Sequence, residues 1–369
     1  MRDYISAKKR EEFKSGKSID CYKFLGCRRY KKESADGFLF SVWAPSARSI
    51  RVVGDFNDWG RRDPLSGYMD RDDDGIWHFF TTEVEEGQYY KYLVEHQNLT
   101  RVLKSDPYSR CSELRPGTAS VVYDQKPYRW HDNKWMDARK EKDHVHTPMN
   151  IYELHLGSWR RATNDNPSQA AFLNYRTIAD ELAKYVKEMN YTHVEIMPVS
   201  EHPFDGSWGY QTLCYYSITS RFGSPDDFRY FVDKMHKEGI SVILDWVPAH
   251  FCKDESGLYN FDGNWAYEPT DANYRENILW GTANFDYGKG EVMSFLISNA
   301  MYFLKEFHVD GLRVDAVANM IYIDYERIVQ ADLRNVFGGK DKLEGINFLK
   351  ELNKSVFSNV ENPIMIAED

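Results

Sequence analysis

Val309-Asp310-Gly311-Leu312-Arg313-Val314-Asp315 is the stretch on which the fold turns. It reads as a buried strand with a carboxylate at its C-terminal tip. A second apolar run, Ile364-Met365-Ile366-Ala367-Glu368, ends the same way. An unpaired charge at the tip of a buried strand loses its hydration, so two such tips suggest a site that uses both groups. Strand alternation puts Arg313 and Asp315 on one face and Leu312 and Val314 on the other. Arg313 beside Asp315 favours a charged carboxylate there, as a nucleophile requires. The apolar strand before Glu368 predicts a desolvated side chain suited to carrying a proton. Each residue also has a plainer reading. Arg313 and Asp315 serve equally well as a structural ion pair, and Glu368 alone as a solvated strand end.

Working outward, residues 151–156, 192–199, 240–247, 309–317 and 364–368 are five apolar runs separated by helical patterns. Ile178, Leu182, Val186 and Met189 share one helical face. Ser224 reads as an N-cap, with Pro225 at the first helical position, Asp226 and Asp227 in the first turn, and Gly239 as the stop. The apolar set within 291–307 fits a largely buried helix. Repeating βα units predict a parallel sheet, and chemistry at the strand tips favours a (β/α)8 TIM barrel, incomplete here at about five strands.

Barrel active sites lie after the strands, and two more segments fall there. Asp245-Trp246-Val247-Pro248-Ala249-His250 follows the third run, with Asp245 at the tip and His250 in the loop. Trp208-Gly209-Tyr210-Gln211 follows the second and reads as an aromatic platform. Either segment alone is weak evidence; four such segments behind successive strands are not.

Upstream, residues 36–124 alternate in short runs with closely spaced turns, which predicts a β-sandwich. Residues 1–35 are charged and read as a helical lead-in. The barrel is expected over 125–369, with a polar connection at its start.

Net charge is −10, from 57 acidic against 47 basic residues, which argues against a polyanionic partner such as nucleic acid. The 10 Trp, 25 Tyr and 21 Phe are compatible with sugar rings as well as with core packing. Five scattered cysteines without a CxxC pair point to a reducing compartment and no zinc site. The N-terminus lacks an apolar signal region and no run approaches a membrane span, so a soluble cytoplasmic protein is expected.

The sequence from about Gly37 to Asp369 resembles the alpha-amylase superfamily, and within it the glycogen branching enzymes. Asp245 to His250 is similar to that family's first conserved region, Asp310 to Val317 to its second, and Ala367-Glu368-Asp369 to the start of its third. Val42-Trp43-Ala44-Pro45 and Gly54-Asp55-Phe56-Asn57-Asp58-Trp59 resemble the glucan-binding module (CBM48 type) that precedes such barrels. The string from His202 to Gln211 resembles the branching enzymes in particular.

The resemblance implies a retaining mechanism with Asp315 as nucleophile and Glu368 as acid/base. Arg313 and His250 would contact the sugar, Tyr210 would stack on it, and Asp245 would support them. It implies an α-glucan partner such as glycogen or amylose, no cofactor or metal, and a monomer for the complete enzyme. A debranching or trehalose-releasing hydrolase, or a non-catalytic glucan-binding remnant, remain alternatives. There are departures. Cys214 and Ala249 stand where the family leads one to expect glycine. The family's fourth region, a His-Asp pair supplying a third carboxylate, has no counterpart. The isolated chain is therefore expected to be inactive and, with open strand edges, poorly soluble.

Overall fold

Alternating apolar residues build two antiparallel sheets in the first third of the chain. In the computed structural model, which describes residues 4–162, 171–325 and 332–369, Gly26–Lys32, Ala35–Trp43, Ile76–Thr81 and Asp70–Arg71 form one sheet in that order. Ser49–Gly54, Tyr89–Glu95 and Arg101–Lys104 form the second, with Ser120–Val121 also paired to Tyr89–Glu95. Phe40, Val52, Tyr90 and Tyr92 are fully buried in this sandwich, and the Phe40 and Tyr90 rings meet edge-on at 5.0 Å.

The helical lead-in expected over 1–35 is shorter than that. A helix spans Ala7–Lys14, but Gly26–Lys32 is already a sandwich strand, paired in register from Gly26↔Ser41 to Lys32↔Ala35. Its charged residues alternate with half-buried ones and hide an edge strand inside an apparently solvated segment.

Five parallel strands follow, hydrogen-bonded in chain order: Ile151–Leu154, His193–Ile196, Ser241–Trp246, Gly311–Val314 and Ile364–Ala367. Helices Tyr175–Glu188, Pro225–Lys237, Gly290–Glu306 and Leu343–Asn359 lie between them. This is part of a (β/α)8 barrel, with the expected elements in the expected order. The Ser224 cap forms as read: its hydroxyl accepts from Asp227 N–H at 3.2 Å, and its own N–H donates to the Asp227 carboxylate at 3.0 Å. Gly311 is required by close strand approach, because a Cβ there would sit 2.3 Å from the Ile364 carbonyl oxygen.

One apolar core runs through both regions. The Trp43 ring of the sandwich meets Phe13 of the first helix at 6.1 Å and Tyr267 of the barrel region at 5.7 Å. Ser294 in Gly290–Glu306 donates to the Phe13 carbonyl at 2.8 Å, fastening the lead-in to the barrel. All five cysteines are free thiols. Among the described residues, no helix is long and apolar enough to cross a membrane.

At the end of the barrel opposite the strand tips, a buried imidazole joins two carboxylates. His236 reaches Asp132 at 2.9 Å through Nδ1 and Asp310 at 3.0 Å through Nε2, all three being almost fully buried. Asp310 also accepts from the Val242 N–H and the Trp135 indole, both at 2.8 Å. The carboxyls of Asp132 and Asp310 are held well below the usual range by His236, against the desolvation that opposes them. Burial lowers His236, but the two carboxylates outweigh it and its value is raised. His236→Leu removes the cation between two buried carboxylates, leaving Asp132 with His308 at 2.9 Å and Asp310 with Arg139 at 3.4 Å, and should destabilise the protein by about 3 kcal/mol in urea unfolding near pH 6. The stabilisation should be complete above about pH 4 and below about pH 6.5. It should fade on acidification as the carboxylates protonate, and on alkalinisation as His236 loses its proton. A stability that stays unchanged both below about pH 4 and above about pH 6.5 would contradict the assignment.

Candidate active site

The third, fourth and fifth strands each end by bringing a carboxylate to one mouth. The fourth strand stops at Val314, Asp315 extends just past it, and Ala316 adopts a left-handed conformation (φ 54°). That residue turns the chain from strand into the short helix Val317–Ile321. The expected run over 309–317 is thus shorter as a strand, and the break at Ala316 frees the Asp315 side chain. The Asp315 N–H still donates to the Trp246 carbonyl at 2.9 Å, so its backbone stays tied to the neighbouring strand.

Arg313 is the hub. Its Nη1 donates to Asp245 Oδ1 and to Asp315 Oδ1, both at 2.9 Å, while its Nη2 lies 3.4 Å from Glu368 Oε1. One guanidinium therefore bridges carboxylates from the third, fourth and fifth strand tips. Planar geometry and five donors allow this; a lysine ammonium could not span the three so rigidly. Tyr210 donates its hydroxyl to Asp245 Oδ2 at 2.6 Å. His250 Nε2 lies 3.6 Å from Asp315 Oδ2, and the Tyr215 hydroxyl fixes the His250 carbonyl at 2.7 Å. Gly209 (φ +96°) makes the approach of the Tyr210 loop possible, since a Cβ there would meet the Pro198 carbonyl oxygen at 2.3 Å.

A cavity of about 460 Å³ opens among Tyr210, His250, Arg313, Asp315 and Glu368. Five of the six residues expected from the sequence line it, and Asp245 lies just behind, its side chain out of solvent beneath Arg313 and Tyr210. Two expectations change. Glu368 is not desolvated: its side chain is 38% exposed, because the fifth strand is partly open, with Met365 and Ile366 half-buried and Ala367 exposed. Both its oxygens are engaged, Oε1 by Arg313 and Oε2 by the Ala316 N–H at 2.9 Å. Trp208 does not join Tyr210 and Gln211 at the cavity. It is exposed and lies nearest His155, ring centres 6.3 Å apart. Trp280, Thr282 and Tyr325 also line the cavity and escaped the sequence reading. Trp280 and Tyr325 sit in turns and Thr282 on a short strand outside the parallel sheet, so none carries strand-tip periodicity, and a lone tryptophan was the only available signal.

Residues 24–109 match the carbohydrate-binding module 48 family (isoamylase N-terminal domain), and residues 174–260 match the alpha amylase catalytic domain. The chain is similar to these two families over those stretches. It is 45% identical over 368 residues to a 1,4-alpha-glucan branching enzyme of Oceanobacillus iheyensis, covering 99% of this chain and 56% of that protein. It is 49% identical over 359 residues to a branching enzyme of Francisella philomiragia, covering 97% and 55%. The chain spans about half the length of these curated relatives. Among solved structures, a pullulanase from an Anoxybacillus species complexed with maltotetraose superposes with a TM-score of 0.68 at 19% identity, covering 99% of this chain and 51% of that one. A Salmonella typhimurium protein described as a putative alpha amylase gives 0.64 at 23%, covering 93% and 49%. These two likenesses concern the fold.

In this site, burial pushes the Asp245 carboxyl up to about 7, although Tyr210 and Arg313 both pull it down. Carboxyl-carbon NMR should find the Asp245 carboxyl titrating near neutrality. Tyr210→Phe removes a donor to the charged form and should move that titration further up. A downward move would contradict the role of the hydroxyl.

Proposed function

We propose that the cavity is the double-displacement centre of a glucan-branching reaction, with an α-glucan as substrate. The observation that carries this reading is the Arg313 bridge: Asp315 and Glu368 come from adjacent strands, pair with different nitrogens of one guanidinium, and open on one cavity. The similarity to branching enzymes over nearly the whole chain supports the choice of reaction. The module-like sandwich over residues 36–124 would hold the polymer, and 125–369 would carry the chemistry.

In the first step an Asp315 oxygen bonds to the anomeric carbon of an α-1,4-linked glucose. The C1–O4 bond breaks, and the proton of Glu368 passes to the departing 4-oxygen. In the second step a 6-hydroxyl of a glucan chain attacks the same carbon. Glu368 takes the hydroxyl proton, the ester to Asp315 breaks, and an α-1,6 linkage results. Two carboxyls about 5 to 5.5 Å apart suit this retaining course. Arg313 and the Ala316 N–H hold Glu368 as a base awaiting the acceptor; proton donation requires it to turn from Arg313 toward the bridging oxygen. A bound acceptor outcompetes water through its high effective molarity. His250 and Tyr210 would hold the sugar, while Asp245 would fix Arg313 and Tyr210.

The test uses the chain and a chimaera completed with the remaining portion of the Francisella relative. A 5-fluoroglucosyl fluoride should leave its sugar on the Asp315 peptide of the chimaera, detected by mass spectrometry, and Asp315→Asn should abolish the label. The chimaera should lower iodine staining of amylose with little new reducing sugar, and Asp315→Asn should cut that rate by roughly 10³-fold or more. Abundant reducing ends would point to hydrolysis instead. Glycogen co-sedimentation with no label on Asp315 would reduce the protein to a glucan binder.

A further inference from the structure

The loop that brings Tyr210 to the cavity is held in its first half by charge. Strands Ser200–Glu201 and Cys214–Ile218 pair antiparallel, and residues 202–213 form the excursion between them. The second half of this loop is tied to neighbouring segments. Gln211 Nε2 donates to the Trp280 carbonyl at 3.4 Å, and the Cys252 N–H donates to the Thr212 carbonyl at 3.3 Å. The first half has little apolar anchorage, since Phe204 and Trp208 are 60% and 54% exposed. Asp205 lies between those two residues and is gripped from two sides. Arg115 donates from Nε to its Oδ1 and from Nη2 to its Oδ2, both at 2.6 Å, and Arg221 Nε donates to Oδ1 at 2.8 Å. Arg221 is itself buried against the Glu201 carboxylate and the Thr219 hydroxyl.

Arg115 comes from a different part of the chain, between Arg101–Lys104 and Ser120–Val121 of the sandwich. A planar guanidinium paired with both oxygens of one carboxylate fixes direction as well as distance. From Asp205 the chain reaches Tyr210 through consecutive tight turns. The Trp208 N–H donates to the Asp205 carbonyl at 3.1 Å and the Tyr210 N–H to the Ser207 carbonyl at 3.0 Å, with Trp208 and Gly209 at positive φ. Turns so closely linked leave little slack, so a shift at Asp205 carries to the Tyr210 ring and its 2.6 Å bond to Asp245. Arg115 foremost, and then Arg221, hold the Asp205 carboxyl well below the usual range, so the clasp stays charged at neutral pH.

We propose that Arg115 is a positioning residue: by clamping Asp205 it sets the Tyr210 hydroxyl on Asp245, and the N-terminal sandwich thereby completes the barrel mouth. Its bearing on catalysis rests on the reading of the cavity as a glucan site. The placement of Tyr210 itself needs no substrate.

The test follows the Asp245 carboxyl by carboxyl-carbon NMR in the ligand-free chain, because the Tyr210 hydroxyl lowers its titration. Arg313 and Asp315 also face Asp245, and the variants leave both in place. Asp205→Ala should raise that titration by roughly 0.5 in pH, in the direction of Tyr210→Phe. Loss of a negative charge acting through space would lower it, so the sign separates the two routes. Arg115→Gln should raise it as well, Arg115→Lys by less, and Arg115→Gln should add nothing in the Tyr210→Phe background. A partly exposed ion pair contributes little to overall stability, so Arg115→Gln should fold and decides the matter where Asp205→Ala does not. A titration unmoved or lowered in Asp205→Ala, or a further rise on adding Arg115→Gln to Tyr210→Phe, overturns the proposal. Neither result touches the labelling of Asp315, so this inference and the glucan reading can fail separately.

Discussion

Three carboxylates gathered at one barrel mouth would repel one another without a cation among them, and Arg313 is that cation. It reaches Asp245 and Asp315 at 2.9 Å and Glu368 at 3.4 Å, so the tips of three consecutive strands meet on one guanidinium. Low dielectric at the Asp245 side makes the pairing strong and also makes an unpaired charge costly. The balance shows in Asp245, whose carboxyl remains near 7 despite two donors. The arginine thus organises the proposed reaction centre, while backbone pairing holds the third, fourth and fifth strands together up to their ends.

The opposite end of the barrel uses the same physics, again with one cation between carboxylates. There a buried histidine lies between Asp132 and Asp310, and Asp310 also fastens the backbone of Val242. Asp310 and Asp315 belong to one short segment, five residues apart, and serve opposite ends. The lower network ties the connecting segment before the barrel to the sheet. The upper network leaves Asp315 and Glu368 facing a cavity, with Asp245 buried behind them. Charge buried for structure is closed off by partners, whereas charge kept for chemistry retains an open side.

Much of this was legible before the fold was seen. Period-two and helical patterns located the five barrel strands and the helices between them, and the Ser224 cap was readable to the hydrogen bond. Asp315, Glu368, Arg313, His250 and Tyr210 converge on one cavity because barrel topology sends every strand tip to the same end. Other features could not be read. The Gly26–Lys32 strand was masked by its charges, which face solvent from a sheet edge. The exposure of Glu368 depends on how much of the fifth strand its neighbours cover, and Trp208 and Tyr210 part company because the intervening Gly209 has positive φ.

Sequence alone determined which side chains stand at strand tips, since alternation and strand order are local properties of the chain. It also showed the family resemblance, through motifs whose residues are contiguous. Tertiary structure decided what those side chains touch. That Arg313 spans three carboxylates, that Glu368 rests on the Ala316 N–H, and that Trp280 arrives beside His250 from a separate hairpin all depend on distances between segments far apart in the chain. No periodicity encodes such distances; they are fixed by how strands, helices and loops pack around a common core.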